Sequence, residues 1–173
     1  MNGRRVEVPA KGGRTHLQFR RFAGCPICHL DLCSFADRYQ EVAGAGIVEV
    51  VLFHSPDDEL RGYQSSLPFA VVADPDWVLY RDFRVGTGLW AAADPQAWWG
   101  AIRGGTAALL RRNNPDRAGV GRTYGTTHLG LPVDFLIDPD GTVVAAHYGR
   151  HSGDQWSVDQ LLEVQRLLRG TKG

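Results

Sequence analysis

Two cysteines spaced as Cys25-Pro26-Ile27-Cys28 stand between a strand-like run, His16 to Phe22, and a helix-like run that starts at Pro26. The spacing suits a redox dithiol. With Cys25 as N-cap and Pro26 at the first helical position, where its missing N–H costs nothing, Cys28 falls one turn on. The free amides of that turn and the positive end of the helix dipole favour the Cys25 thiolate, holding its pKa below the free value of about 8.5. Cys28, three residues later on the same face, can attack a mixed disulfide or sulfenic acid on Cys25 and close a ring. Cys25 is therefore the expected nucleophile and Cys28 the resolving thiol.

Competing uses of these residues fit less well. Packing alone does not ask for a strand-to-helix junction. The run Cys25-x-x-Cys28-His29 also matches a haem c attachment pattern, but Met1 is the only methionine and the surroundings read as strands. A zinc site from Cys25, Cys28, Cys33 and a histidine would need a second ligand pair, and there is no second CxxC. No flavin or nicotinamide fingerprint is present either. The expectation is catalysis without metal, haem or nucleotide cofactor.

The elements that must position the dithiol are legible on both sides of it. Cys28, Leu32, Phe35, Tyr39 and Val42 form one apolar stripe, predicting a single helix to Gly44 or Gly46 with Cys28 on the core side. Ile47 to Phe53, apolar except for Glu49, reads as a strand buried on both faces of a parallel sheet. Ser55-Pro56-Asp57-Asp58-Glu59 opens a helix reaching about Ser65, Phe69 to Ala73 is a third strand, and Trp77 to Arg84 a short helix. Val133 to Ile137 and Thr142 to Tyr148 form a hairpin around Pro139-Asp140, followed by a helix from Val158 to Leu168 capped by Asp154 or Ser157. Between Gly86 and Gly130 the pattern loosens around Trp90, Trp98 and Trp99, with one helical run from Ala101 to Leu110.

With 173 residues and 43% apolar side chains, one core is expected, hence a single domain over 1–173 with an irregular Trp-rich insertion at about 86–130. Nineteen basic residues balance nineteen acidic ones, so nothing points to nucleic acid. No apolar run approaches the roughly 20 residues that span a bilayer. Three cysteines do not make a disulfide framework, and Met1 to Glu7 lacks the apolar stretch of a signal peptide, so a cytoplasmic setting is expected.

Strand and helix alternating three times, then hairpin and helix, is an α/β order: a central mixed sheet of parallel strands plus a C-terminal antiparallel hairpin, with helices on both faces. With CxxC at the first junction it resembles the thioredoxin fold. Leu17 to Cys28, Leu131 to Gly141 and His147 to His151 more specifically resemble the peroxiredoxin-like branch of the AhpC/TSA family. That resemblance implies a thiol-dependent antioxidant oxidoreductase that reduces peroxides, with electrons from a thioredoxin or a low-molecular-weight thiol. It also implies that Pro132, opening the first hairpin strand, faces the dithiol across a cis Leu131-Pro132 bond.

The hairpin should bring Gly149, Arg150 and His151 to the rim of the site. There Arg150 could stabilise a thiolate or hold a peroxide oxygen, as an arginine does in peroxiredoxins. Arg21, at the end of the central strand, is its rival. His54 ends the neighbouring strand on the same side. The family pattern P-x-x-x-T/S-x-x-C is not met: Gln18 and Phe22 take those places if Cys25 is peroxidatic, Arg21 and Cys25 if Cys28 is. The missing hydroxyl keeps open a general disulfide reductase with little peroxidase activity. A non-catalytic interaction module, with the tryptophans as a partner or homodimer surface, is a third reading. Cys33, five residues after Cys28 and about 140° round the helix, is expected to be a semi-exposed spectator.

Overall fold

A computed structural model of the chain describes residues 5–23, 25–85 and 131–170. The elements are β1 (Arg14–Arg20), α1 (Pro26–Asp37), α2 (Tyr39–Gly44), β2 (Ile47–Phe53), α3 (Asp57–Ser66) and β3 (Ala70–Ala73). They are followed by α4 (Val78–Asp82), β4 (Val133–Ile137), β5 (Val143–Tyr148) and α5 (Val158–Gly170). The expected helix at Ala101 to Leu110 and the tryptophans Trp90, Trp98 and Trp99 lie outside the described residues.

The five strands form one sheet in the order β3-β2-β1-β4-β5. β1 runs parallel to β2 and β2 to β3, while β4 is antiparallel to both β1 and β5. This is the mixed sheet expected from the sequence, and β1, which carries the chain into the dithiol, lies at its centre. Both faces of β1 are covered. On one, Val51, Phe53, Val71 and Leu136 meet Leu32 and Phe35 of α1, Val42 of α2, Leu60 of α3 and Leu161 of α5. On the other, Leu17, Phe19, Val50, Leu52 and Phe135 meet Tyr80 of α4. Asp74 holds that short helix by accepting from the amides of Val78, Leu79 and Tyr80.

The single helix expected from Cys28 to Val42 is broken at Arg38, whose backbone leaves helical values (φ −109°, ψ 20°). No glycine or proline marks the break. At the break the Arg38 guanidinium donates to Glu41 at 2.7 and 2.9 Å and to Asp159 of α5 at 2.6 Å. Past this point helical periodicity no longer reports on α1. Cys33, expected to be semi-exposed from its polar neighbours Asp37 and Gln40, is buried, with its sulfur 3.7 Å from His29 Nε2.

The hairpin turns where expected, with Gly141 at φ 92°, a value an L side chain resists. A bulge after Leu136 sets Ile137 opposite Val143 and delays the second strand by one residue. At the other end of the hairpin Val133 pairs with Tyr148 and the Gly149 amide donates to the Pro132 carbonyl at 2.9 Å. Ser157, rather than Asp154, caps α5 through a reciprocal box: its Oγ accepts from the Gln160 amide, and Gln160 Oε1 accepts from its own. Among the described residues no helix is long and apolar enough to cross a membrane.

Candidate active site

The CxxC turn is assembled by β1 and β2 together. β1 ends at Arg20; the next residues are fixed from the segment just past β2, where the His54 amide donates to the Arg21 carbonyl at 3.3 Å and Ser55 Oγ accepts from the Ala23 amide at 3.0 Å. A further bond from the Cys25 amide to the Phe22 carbonyl closes the turn. Cys25 is the N-cap of α1, with extended backbone (φ −73°, ψ 113°), and Pro26 follows in the first turn. The Cys25 carbonyl accepts from the His29 amide at 3.0 Å and its sulfur from the Cys28 amide at 3.5 Å. This is the geometry the spacing predicted.

The two thiols are not equivalent. The Cys28 thiol donates to the Cys25 sulfur and pulls the Cys25 pKa down to about 7, against the effect of burial; the Arg21 charge and the amides of Cys28 and Ile27 add to the lowering. Cys28 moves the other way. Its proton is shared with Cys25, it is fully buried, and a thiolate on Cys25 repels a second one, so its pKa lies well above the ordinary value. Arg21 acts here too, through its amide and its charge. Both cysteines are free and both are only 1% exposed.

The structure brings Arg21, but not the Arg150 head group, to the thiols. Arg21 is buried, its guanidinium over the Phe22 ring at 5.5 Å. Arg150 sits on the rim as expected, yet its side chain is 92% exposed and its Nε is 3.5 Å from Asp154 Oδ2. The rim loop does border the dithiol: a Cβ added at Gly153 would lie 3.6 Å from Ile27 Cγ2. Pro132 is buried beneath this loop. The Leu131-Pro132 bond, expected to be cis from thioredoxin-like proteins, is not: among the described residues the cis bond is Val8-Pro9. A trans X-Pro bond needs no support from its surroundings, whereas the cis form is the less stable isomer. His54 is fully buried and stacks on Trp77 at 4.5 Å, which places it in the packing beside the turn.

Sequence reasoning missed Ser55, which was read only as a helix cap, and a group of charges beneath α1. His16, Gln18 and Arg20 alternate along β1 and would read as a solvent face, but all three are fully buried. His16 Nδ1 is 2.8 Å from Glu49 on β2 and its Nε2 3.2 Å from Asp134 on β4. Arg20 donates to Asp134 and to Gln18, each at 2.8 Å, and pairs with Asp31 of α1 at 3.1 Å. Glu49 and Asp134, acids in otherwise apolar strands, were the available signal. Among the described residues no group of histidines, cysteines and acids forms a metal site.

The AhpC/TSA family model matches residues 3–146, most of the chain. Peroxidoxin BcpB of Mycobacterium tuberculosis superposes with a TM-score of 0.58 at 18% identity, covering 91% of this chain and 80% of that one. Peroxiredoxin Q of Xanthomonas campestris gives 0.54 at 18% identity, covering 94% and 81%. A protein of Chlorobium tepidum described as thiol:disulfide interchange protein DsbE gives 0.50 at 18% identity, covering 91% and 80%. At such identities the likeness establishes the fold, thioredoxin-like with a mixed sheet. No curated protein matches the sequence.

Proposed function

Because the chain belongs to the AhpC/TSA family and is a thiol oxidoreductase, we propose that it reduces small peroxides through a Cys25/Cys28 dithiol cycle. The observation that carries this reading is the asymmetric pair: a Cys25 thiolate held at about pKa 7 on a helix N-terminus, with Cys28 protonated beside it. At neutral pH about half of Cys25 is then nucleophilic. Its burial suits an oxidant of two or three heavy atoms better than a polypeptide disulfide.

Cys25 attacks one peroxide oxygen, the O–O bond breaks, and the alkoxide or hydroxide leaves with a proton. The Cys25 sulfenic acid is then attacked by Cys28, water departs, and a disulfide remains. A thioredoxin or low-molecular-weight thiol returns it to the dithiol in a reducing, cytoplasmic setting. Arg21 is the arginine that favours the thiolate, and Pro132 and the Gly149-Arg150 rim shape the approach. The whole chain, including the Trp-rich stretch at 86–130, acts as one domain.

A second reading rests on the absent Thr/Ser ahead of the cysteine: the Ser55 hydroxyl at this turn accepts from the Ala23 amide. Without the family's Thr/Ser, the chain would instead exchange disulfides, as the described name of the Chlorobium tepidum neighbour says of that protein. Peroxide consumption with a thioredoxin system, run beside reduction of a protein disulfide, separates the two. Peroxide loss that disappears in Cys25→Ser supports the peroxidase; disulfide reduction without peroxide loss selects the reductase. Activity of either kind in Cys25→Ser would remove Cys25 from the mechanism.

A further inference from the structure

The charges beneath α1 form one connected cluster. His16 lies between carboxylates at both ring nitrogens, and a carboxylate only accepts, so both nitrogens carry protons and the ring is cationic. In keeping with this, the pull of Glu49 and Asp134 outweighs burial and raises its pKa to about 9. His16 and Arg20 thus face three acids: Glu49, Asp134 and Asp31. One negative charge is in excess. Asp31 is the acid that can give it up, since burial pushes its pKa to about 6 despite Arg20.

Asp31 lies three residues after Cys28 on α1, so the two share a helix face. Arg20 joins that face to the sheet. Its Nη2 makes every contact to Gln18, Asp134 and Asp31, while its Nε and Nη1 hydrogens are fully buried without a hydrogen-bond partner among the described residues. Unused donors on a buried cation mark a place for an anion. Cys28, one turn before Asp31 on the same helix, makes such an anion when it loses its proton, and its charge acts on the Arg20 guanidinium as it does on that of Arg21. Arg21 favours the thiolate of Cys25, and once Cys25 is oxidised the charge to be stabilised moves inward to Cys28.

We propose that Arg20 stabilises the Cys28 thiolate during ring closure, with its unpartnered Nε–H and Nη1–H as the available donors, while Asp31 receives the thiol proton. The transfer leaves the charge of the cluster with Cys28 unchanged: Cys28-SH and Asp31 carboxylate become Cys28 thiolate and Asp31 carboxylic acid. The thiolate then attacks the Cys25 sulfenic sulfur, the S–S bond forms, and the departing hydroxide takes a proton to leave as water. Asp31 can supply that proton, which restores the carboxylate. The step presupposes the dithiol cycle proposed above.

Single-turnover oxidation with hydrogen peroxide, quenched and read by intact mass, resolves the two stages. Gain of one oxygen reports attack by Cys25; loss of two hydrogens relative to the dithiol reports ring closure by Cys28. In Arg20→Gln oxygen gain should keep its rate, whereas ring closure should slow about tenfold or more, with its pH midpoint displaced upward. Arg20→Lys, which keeps the charge, should lie between. Unchanged closure rates and pH profile in folded Arg20→Gln would overturn the assignment, and failure of the wild type to gain oxygen would instead overturn the peroxidase cycle itself. Should the substitutions unfold the protein, the Arg20 Nε–H resonance of the wild type serves. It should move with an alkaline titration that vanishes in Cys28→Ser, and a resonance indifferent to that titration refutes the role.

Discussion

Cys28→Ala and Cys28→Ser separate the thiol's hydrogen bond from everything else that acts on Cys25. The fall of the Cys25 pKa from an ordinary 9.0 to about 7 corresponds to roughly 3 kcal/mol of thiolate stabilisation. Its largest cause is the Cys28 S–H donor; the helix amides and Arg21 contribute the rest, and burial opposes them. The alanine removes that donor and keeps the amides, so it should raise the Cys25 pKa by about one. At pH 7 the thiolate fraction then drops from about one half to about one tenth, and alkylation slows about fivefold. Serine restores a donor at the same place and should keep most of the lowering. Iodoacetamide alkylation of Cys25 from pH 5 to 10, read by peptide mass, measures both midpoints. Equal midpoints for the alanine variant and the wild type would refute the idea that Cys28 holds the thiolate.

Three further outcomes follow from the same geometry. His16 is raised on folding from 6.5 to about 9, so its contribution is complete below pH 6.5 and is lost as pH rises through 9, about 3 kcal/mol at most. Urea denaturation of Cys25→Ser, which lacks the opposing titration of Cys25, should show this alkaline loss, and Glu49→Gln should reduce it. Ser55→Ala removes the hydroxyl that accepts from the buried Ala23 amide and should cost about 1–3 kcal/mol in denaturant unfolding, with an altered Cys25 alkylation rate because the turn loses that anchor. Gly149→Ala places a methyl against the Asp154 carbonyl and 2.8 Å from Pro132 Cγ; about 1–3 kcal/mol of stability should be lost, and peroxide turnover should fall as the rim shifts beside Ile27.

What was legible in the sequence was whatever short-range periodicity and capping control. The strand Ile47–Phe53 was read to the residue, and the CxxC turn, the hairpin and the last helix to within a residue or two, because each is set by neighbours along the chain. The placing of Cys25 at the N-cap of α1 belongs to this class, since N-cap geometry needs only residues 25 to 29. Long-range contacts were not legible. Arg38, where the helix breaks, reaches Asp159, 121 positions away, and no local propensity encodes that contact.

The sequence by itself determined a thiol pair on a helix N-terminus, at the end of a strand of a mixed sheet. Only the tertiary structure decided which charges reach it. Arg21 and Arg150 read alike in sequence, yet one is folded against Phe22 beside the sulfurs and the other extends into solvent toward Asp154. The polar His16, Gln18 and Arg20 alternate along β1 and are fully buried all the same, because β2 and β4 bring Glu49 and Asp134 opposite them. A charge is buried or exposed according to the partners that the strand register supplies, and that register is a property of the folded sheet, not of β1 alone.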